Sequence, residues 1–137
     1  MSKSDMGWKG VFVVSVTPFD EQENIDESAF TALLEQYQDD GVDGVIVAGS
    51  TGEWYTLRDD ERIRLFELAR GCVRLPTKLI AGTSAIATRD AVSLTQTARD
   101  IGCDGAMVMA PPYAQPNETE LCGHFAALSG AQLPLML

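Results

Sequence analysis

The sequence is poor in basic residues and has no cluster of them. Its 137 residues include 10 Lys and Arg against 20 Asp and Glu, a formal net charge of −10 at pH 7. A surface of that sign repels phosphate backbones and anionic lipids, which argues against nucleic acid and membrane as partners. The chain also lacks an apolar run of the ~18 residues needed to span a bilayer, and its polar start has no signal-peptide core. We therefore expect a cytoplasmic protein.

Cysteine and histidine are equally scarce. The chain has three cysteines (Cys72, Cys103 and Cys122) and one histidine, His124. The odd cysteine count and the lack of a C-x-x-C spacing argue against a disulfide framework or a zinc site, so we expect reduced, buried thiols. His124 stands in a helical stretch, far in sequence from any Cys, Asp or Glu cluster, which favours a structural or solvated side chain. We predict neither a metal nor another bound cofactor.

Five short apolar runs divide the chain. The runs are Val11–Val16, Val45–Ala48, Leu79–Ala81, Ala106–Ala110 and Leu133–Leu137. Each is almost continuously hydrophobic, which is typical of strands buried on both faces of a parallel sheet. Stretches with helical periodicity separate the runs. Their starts are marked by capping sequences at 24–27, 56–59 and 117–120 and by Thr88, and their ends by Gly41, Gly102 and Gly130.

Strictly alternating strands and helices predict a parallel sheet with right-handed crossovers. A complete (β/α)8 barrel needs about 200–250 residues, so 137 are too few for one. Segments 41–44 and 102–105 echo each other two βα units apart, as in a barrel of like units, although helix-to-strand turns also converge on Gly and Asp. A doubly wound α/β binding module is the rival fold, and strand order separates the two.

The last apolar run, Leu133–Leu137, is followed by neither a turn nor a polar tail. A strand that ends in a free carboxylate buries a charge or leaves apolar backbone exposed. We therefore expect residues 1–137 to be the N-terminal part of a single (β/α)8 barrel domain, truncated after about four and a half βα units.

Hydroxyl-bearing residues follow the predicted strands, where function gathers in α/β folds. They are Thr17, Ser50, Thr51, Thr83, Ser84 and Tyr113. The richest segment is Gly49–Glu53, in which two glycines flank Ser50 and Thr51, so that hydroxyls and backbone N–H groups can hold a small carboxylate. The same residues also make an ordinary strand-to-helix turn. The segment is neither a P-loop nor a G-x-G-x-x-G motif, so nothing indicates a nucleotide.

Several of these motifs, in register, resemble one enzyme family. They are Val16-Thr17-Pro18-Phe19, segment 41–44, Gly49-Ser50-Thr51-Gly52-Glu53, Ile80-Ala81-Gly82-Thr83, and the stretch from Pro111 to Pro116 around Tyr113. The chain is similar to the N-terminal half of the pyruvate-dependent class I aldolases, the family of dihydrodipicolinate synthase and N-acetylneuraminate lyase.

The resemblance implies a TIM barrel assembled as a dimer of dimers, with pyruvate held as a Schiff base on a lysine and no other cofactor. Gly49, Ser50 and Thr51 match the loop that binds the pyruvate carboxylate. Thr51 and Tyr113 match a catalytic proton relay, and the resemblance implies that Tyr113 reaches into the neighbouring subunit's site.

Two departures from the family pattern follow from the residues themselves. The chain's lysines are Lys3, Lys9 and Lys78, and none stands where the Schiff-base lysine should be. Ile86 and Pro112 replace residues tied to lysine feedback in some synthases. The pair Trp54-Tyr55, which either lines the substrate mouth or packs against another subunit, leaves the second substrate open.

The resemblance favours condensation of pyruvate with an aldehyde, as in 4-hydroxy-tetrahydrodipicolinate synthases. The alternatives are an N-acetylneuraminate lyase, a 2-keto-3-deoxy sugar acid aldolase or dehydratase, or a non-catalytic half barrel without its lysine nucleophile. The substrates implied are pyruvate and an aldehyde or 2-oxo acid.

Overall fold

The computed structural model describes residues 8–137, and its helices and strands alternate as the sequence predicts. The elements are β1 (Phe12–Val14), α1 (Glu27–Asp39), β2 (Gly44–Val47), α2 (Asp59–Cys72), β3 (Lys78–Gly82), α3 (Thr88–Ile101), β4 (Gly105–Met107), α4 (Glu118–Ser129) and β5 (Leu135–Met136). A short 3-10 turn, Trp54–Thr56, precedes α2.

The five strands form one sheet in the order β1-β2-β3-β4-β5, and every neighbouring pair is parallel. Strand order follows chain order without a reversal. A doubly wound sheet reverses its order at a switch point, so this order favours an arc of a barrel. Parallel strands in sequence order place all their carboxyl ends along one edge of the sheet.

Strands β1, β4 and β5 are shorter than the apolar runs that predict them. The run Ala106–Ala110 continues two residues past Val108 without ladder bonds, because the Met109 N–H donates to the Ser84 side chain at 3.1 Å instead of to a neighbouring strand. Met109, beyond the end of β4, and Leu137, beyond the end of β5, line the cavities described below.

The core lies between the sheet and the four helices. Alternate strand residues such as Val45, Val47 and Leu79 pack with Leu65 and Phe66 of α2 in one buried cluster. The intervening residues of β2 and β3 are also buried. Burial on both faces explains why these runs are continuously apolar.

The helix starts lie within the predicted capping segments at three of the four helices, where Asp26, Arg58 and Asn117 are the N-cap residues. Asp26 caps α1, and its carboxylate accepts from Ala29 N at 2.9 Å. Asn117 and Glu120 form a reciprocal capping box on α4. The prediction that Thr88 caps α3 is wrong, because Ala87 precedes the helix and the Thr88 hydroxyl bonds His124 Nδ1 at 2.9 Å.

All three thiols are free, but only one is fully buried, so the expectation of three buried thiols is wrong. Cys103 is buried, Cys72 is half-buried and Cys122 lies exposed on α4. Burial raises the pKa of the Cys103 thiol to about 12, which leaves it protonated and unreactive at neutral pH.

We expect His124 to make the stability of this chain sensitive to mild acid. Its side chain is buried on α4 against Thr88, and burial lowers its pKa below the ordinary 6.5. Below pH 6.5 the unfolded chain binds a proton that the folded chain does not, so the free energy of unfolding should fall as the pH drops from 7 to 5. Urea titrations across this range are expected to show a smaller pH slope for His124→Asn.

The carboxylates give a control within the same titration. The pKa values of Asp20 and Glu27 are lowered by their hydrogen bonds to Asn24 and Arg64, so their contribution is lost only as the pH falls below about 4. If the free energy of unfolding changes equally with pH in the unaltered chain and in His124→Asn between pH 7 and 5, the acid sensitivity does not come from His124.

Candidate active site

The loop after β2, residues 48–53, lies at the carboxyl edge of the sheet, and its tip is exposed to solvent. Ala48 has a left-handed φ of 52°, which turns the chain across the strand end. Two backbone bonds then close the loop: Glu53 N donates to Ser50 O at 3.0 Å, and Trp54 N donates to Gly49 O at 3.3 Å. Ser50 and Thr51 are both exposed at the tip.

Glycine is needed in this loop because the neighbouring chain passes close by. A Cβ at Gly52 would lie 2.9 Å from the backbone oxygen of Ser15. From the same side, the buried Thr17 hydroxyl donates to the Gly52 carbonyl at 2.8 Å. The end of β1 therefore holds the loop in place through both packing and a hydrogen bond.

Three of the six hydroxyls predicted at this edge are used to hold the fold. Thr17 bonds Gly52, and Ser84 accepts from Met109 N. Thr83 lies 2.8 Å from the Thr95 hydroxyl, which itself donates to a helix carbonyl, so Thr83 is the donor of that pair. These three side chains are buried, and of the three only Ser84 lines one of the two cavities described below.

The other three hydroxyls, on Ser50, Thr51 and Tyr113, make no hydrogen bond to any residue within 8–137. All three side chains are exposed, and Tyr113 is 100% exposed with a left-handed φ of 69°. Ser50 and Tyr113 line one cavity of about 370 Å³, so the loop after β2 and the loop after β4 face the same space. The residues that the family resemblance singles out are thus the ones with unused hydroxyls.

A second cavity of about 310 Å³ continues this space along the strand ends. Its lining includes Gly49, Ser84 and Met136, and it shares Ser50, Trp54 and Met109 with the first. We call the two together the edge cleft.

Arg62 is a buried residue of this region that the sequence analysis missed. It is 2% exposed on α2, donates from Nη2 to the Gly82 carbonyl at 2.6 Å, and lies 5.2 Å from the centre of the Trp54 ring. Burial lowers the pKa of its guanidinium to about 10, so it is charged at neutral pH. Its spacing of three and four residues from buried Leu65 and Phe66 was the signal, since that period places it on the core face of α2.

The lysine on the sheet lies at the other end of the strands. Lys78 is the first residue of β3, and its Nζ is 3.5 Å from Asp104 Oδ1. Between residues 8 and 137, no lysine follows the carboxyl end of a strand. Over the same range, no three His, Cys, Asp or Glu side chains gather as a metal site would require.

No helix in the part of the chain that the structure describes is both long and apolar enough to cross a membrane.

Comparison with known proteins shows relatives along nearly the whole chain. An uncharacterized DapA-like lyase of Rhizobium meliloti is 45% identical over 130 residues, which cover 95% of this chain and 43% of the relative. A 4-hydroxy-tetrahydrodipicolinate synthase of Oceanobacillus iheyensis is 38% identical over 133 residues, covering 96% of this chain and 45% of the synthase. The chain therefore spans less than half the length of the curated relatives it matches.

A solved structure gives the same picture. YagE, a prophage protein of E. coli K12 in the dihydrodipicolinic acid synthase family, was crystallised in complex with pyruvate. It superposes with a TM-score of 0.91 at 29% identity, over 95% of this chain and 44% of YagE. The five-stranded arc is thus part of a TIM barrel, as predicted. The model of the dihydrodipicolinate synthetase family matches residues 7–137, and the chain belongs to that family.

Proposed function

We propose that this chain supplies the pyruvate-binding edge and part of the proton relay of a Schiff-base-forming lyase or synthase. That enzyme joins pyruvate to an aldehyde, or cleaves the product in reverse. The observation that carries the proposal is the sorting of the edge hydroxyls: three are buried in the fold, while Ser50, Thr51 and Tyr113 are exposed and unbonded within residues 8–137.

The proposed roles are those that the family resemblance implies, and the chemistry of the side chains supports them. Hydroxyls and N–H groups at the tip of a closed loop suit a small carboxylate, and Ser50 and Thr51 with Gly49 would bind that of pyruvate. Formation of a lysine Schiff base needs protons moved within hydrogen-bond reach, and Thr51 and Tyr113 would carry them. The pyruvate complex of YagE supports this choice of ligand.

We also propose that the complete enzyme is a homo-oligomer. A tyrosine that is 100% exposed on an ordered loop leaves a large, partly apolar surface in water. Tyr113 would be covered if it reached into the site of a neighbouring subunit. The dimer or tetramer expected from the family resemblance provides such a neighbour.

The lysine nucleophile would come from outside these 137 residues. Incubation with pyruvate and borohydride, followed by intact-mass measurement, tests the proposal, because borohydride reduces a Schiff base to a stable adduct. The natural protein that contains this chain is expected to gain one reduced pyruvyl group. The 137-residue chain alone is expected to gain none, because Lys78 lies at the opposite end of the sheet beside Asp104.

The measurements on the natural protein and on the 137-residue chain test different parts of the proposal. A natural protein that traps no pyruvate overturns the lyase proposal and favours the non-catalytic half barrel. A specific adduct on the 137-residue chain, mapped by peptide mass, overturns the claim that the nucleophile lies elsewhere. Trapping with other 2-oxo acids then separates pyruvate chemistry from that of larger sugar acids.

A further inference from the structure

His124 carries a buried nitrogen that no full hydrogen bond satisfies. The side chain is 4% exposed on α4, and its Nε2 has no hydrogen-bond partner among the residues that the structure describes. The other ring nitrogen, Nδ1, lies 2.9 Å from the Thr88 hydroxyl on α3. Buried polar atoms nearly always have a partner, so Nε2 is expected to face a group that acts on it.

The Met109 carbonyl is that group. It favours the protonated form of the ring, although burial has the larger effect and lowers the pKa of His124 below 6.5. The ring is therefore neutral at pH 7 and has a single N–H. Thr88 occupies Nδ1, so Nε2 is the nitrogen left to face Met109, and a carbonyl accepts only from a nitrogen that carries hydrogen. Nε2 is thus the donor toward Met109, and the Thr88 hydroxyl donates to Nδ1.

Met109 is the residue at which the chain leaves the sheet for the loop before α4. Its N–H donates to the Ser84 side chain at 3.1 Å, and its carbonyl faces His124. One restraint comes from the segment after β3 and the other from α4. The direction of the chain at the start of the loop is therefore fixed from two sides.

Tyr113 stands in the middle of this loop, in a strained turn. Its φ of 69° is left-handed, and Ala114 N donates to Pro112 O across it at 2.8 Å. A γ-turn with a positive central φ is rare, and it persists only where the surrounding structure holds it. The rings of Pro111 and Pro112 fix φ on the way to it, so little freedom lies between Met109 and Tyr113. A restraint at Met109 is therefore passed on to Tyr113.

Helix α4 also fixes the far end of this loop. Asn117 N donates to Glu120 Oε2 at 2.8 Å, and Glu120 N donates to Asn117 Oδ1 at 3.0 Å. His124 follows about one helical turn after Glu120. The same helix therefore holds the loop at both ends, through its N-cap and through His124.

We propose that His124 is a positioning residue for the relay tyrosine: by holding the Met109 carbonyl, it fixes the loop that presents the Tyr113 hydroxyl. This rests on the proposed function, in which Tyr113 carries protons during Schiff-base formation. Proton transfer needs the hydroxyl within hydrogen-bond reach of the reacting group, so a displacement of about 1 Å lowers the rate sharply. His124 contacts neither pyruvate nor the aldehyde in this proposal and acts only through Tyr113.

Glutamine and asparagine at position 124 separate the roles of the two ring nitrogens. The amide N–H of glutamine reaches the place of Nε2, whereas that of asparagine reaches only the place of Nδ1. In the natural protein that contains this chain, His124→Asn should lower kcat about tenfold or more and leave the KM for pyruvate nearly unchanged. His124→Gln should restore most of the loss. Steady-state kinetics with pyruvate and an accepted aldehyde measure both.

A double-mutant cycle shows whether His124 acts through Tyr113. Tyr113→Phe removes the hydroxyl that is positioned, so adding His124→Asn to it should lower kcat by less than about twofold. Losses that multiply would mean that the two residues act independently, which overturns the positioning role. Leu128→Val is the control for lost stability, because Leu128 is fully buried on the same helix. It should lower the free energy of unfolding and leave kcat unchanged.

Thr88→Val tests the same contact from the other side of the ring, and it serves where His124→Asn does not fold. Without the Thr88 hydroxyl the single N–H can move to Nδ1, so kcat should fall about threefold or more. Thr88→Ser keeps the hydroxyl and should keep the activity. Equal kcat values for Thr88→Val and Thr88→Ser would contradict the direction assigned to Nε2.

Failure of this inference differs from failure of the proposed function. Pyruvate trapping, with equal kcat values for His124→Asn, His124→Gln and the unaltered protein, overturns the positioning role and leaves the proposed function standing. Full activity of Tyr113→Phe removes the relay role of Tyr113 and this inference with it. No trapping in the unaltered protein overturns both proposals.

Discussion

Replacing Thr51 by valine in the natural protein is expected to lower kcat about 10²–10⁴-fold, the usual contribution of a positioned proton-transfer group. Valine keeps the branched shape of threonine and removes only the hydroxyl. Because Thr51 is exposed and bonds no other residue within 8–137, its loss should leave the fold intact. Steady-state kinetics with pyruvate and an accepted aldehyde measure the effect, with urea unfolding as the check on stability.

Thr51→Ser is the matched control. It retains a hydroxyl at the loop tip and should keep most of the activity of the unaltered protein. If Thr51→Val and Thr51→Ser behave alike, the hydroxyl is not part of the relay. A variant that changes only KM would assign Thr51 to carboxylate binding alone.

Replacing Gly82 by alanine is expected to destabilise the chain by about 3 kcal/mol or more. Gly82 ends β3, where a Cβ would lie 2.1 Å from the carbonyl oxygen of Ala48 and 2.5 Å from its carbonyl carbon. Both are backbone atoms, so relief requires β2 and β3 to separate where the site is built. Urea unfolding followed by circular dichroism gives the free energy, and loss of soluble folded protein is the extreme form of the same result.

Gly71→Ala is the control for this prediction. Gly71 lies within α2, and apart from its chain neighbours and the backbone of the helix itself no atom lies within 4 Å of the place its Cβ would take. Alanine should therefore stabilise the helix by up to about 1 kcal/mol. A Gly82→Ala protein as stable as Gly71→Ala would refute the close approach of the two strands.

The fold was predictable because the apolar runs mark the strands of the sheet. A strand such as Val45–Ala48 is buried on both faces, and that leaves a continuous hydrophobic signature in sequence. Strand order was not readable, since hydrogen bonds between strands distant in sequence leave no local mark. At Thr88 a tertiary contact overrides the local preference of threonine for the N-cap position. Its hydroxyl bonds His124 on α4 instead of capping α3.

The candidate site was only partly predictable. The residues alone favoured the segment Gly49–Glu53, with Ser50 and Thr51, and only the resemblance separated Tyr113 from the other hydroxyls at this edge. Thr83 is buried and bonded to Thr95, whereas Thr51 is exposed, and both differences arise only on folding. The stacking of Arg62 on Trp54 likewise joins α2 to the loop before it, and the spacing of residues in the sequence does not predict this contact.

The loop after β2 is closed by its own backbone bonds, Glu53 N to Ser50 O and Trp54 N to Gly49 O. These bonds do not involve the side chains of Trp54 or Tyr55. Exchange of those two side chains should therefore leave the backbone course of Gly49–Glu53 unchanged. The loop is a frame whose last side chains can vary in size and polarity without moving Ser50 and Thr51, the residues proposed to bind pyruvate.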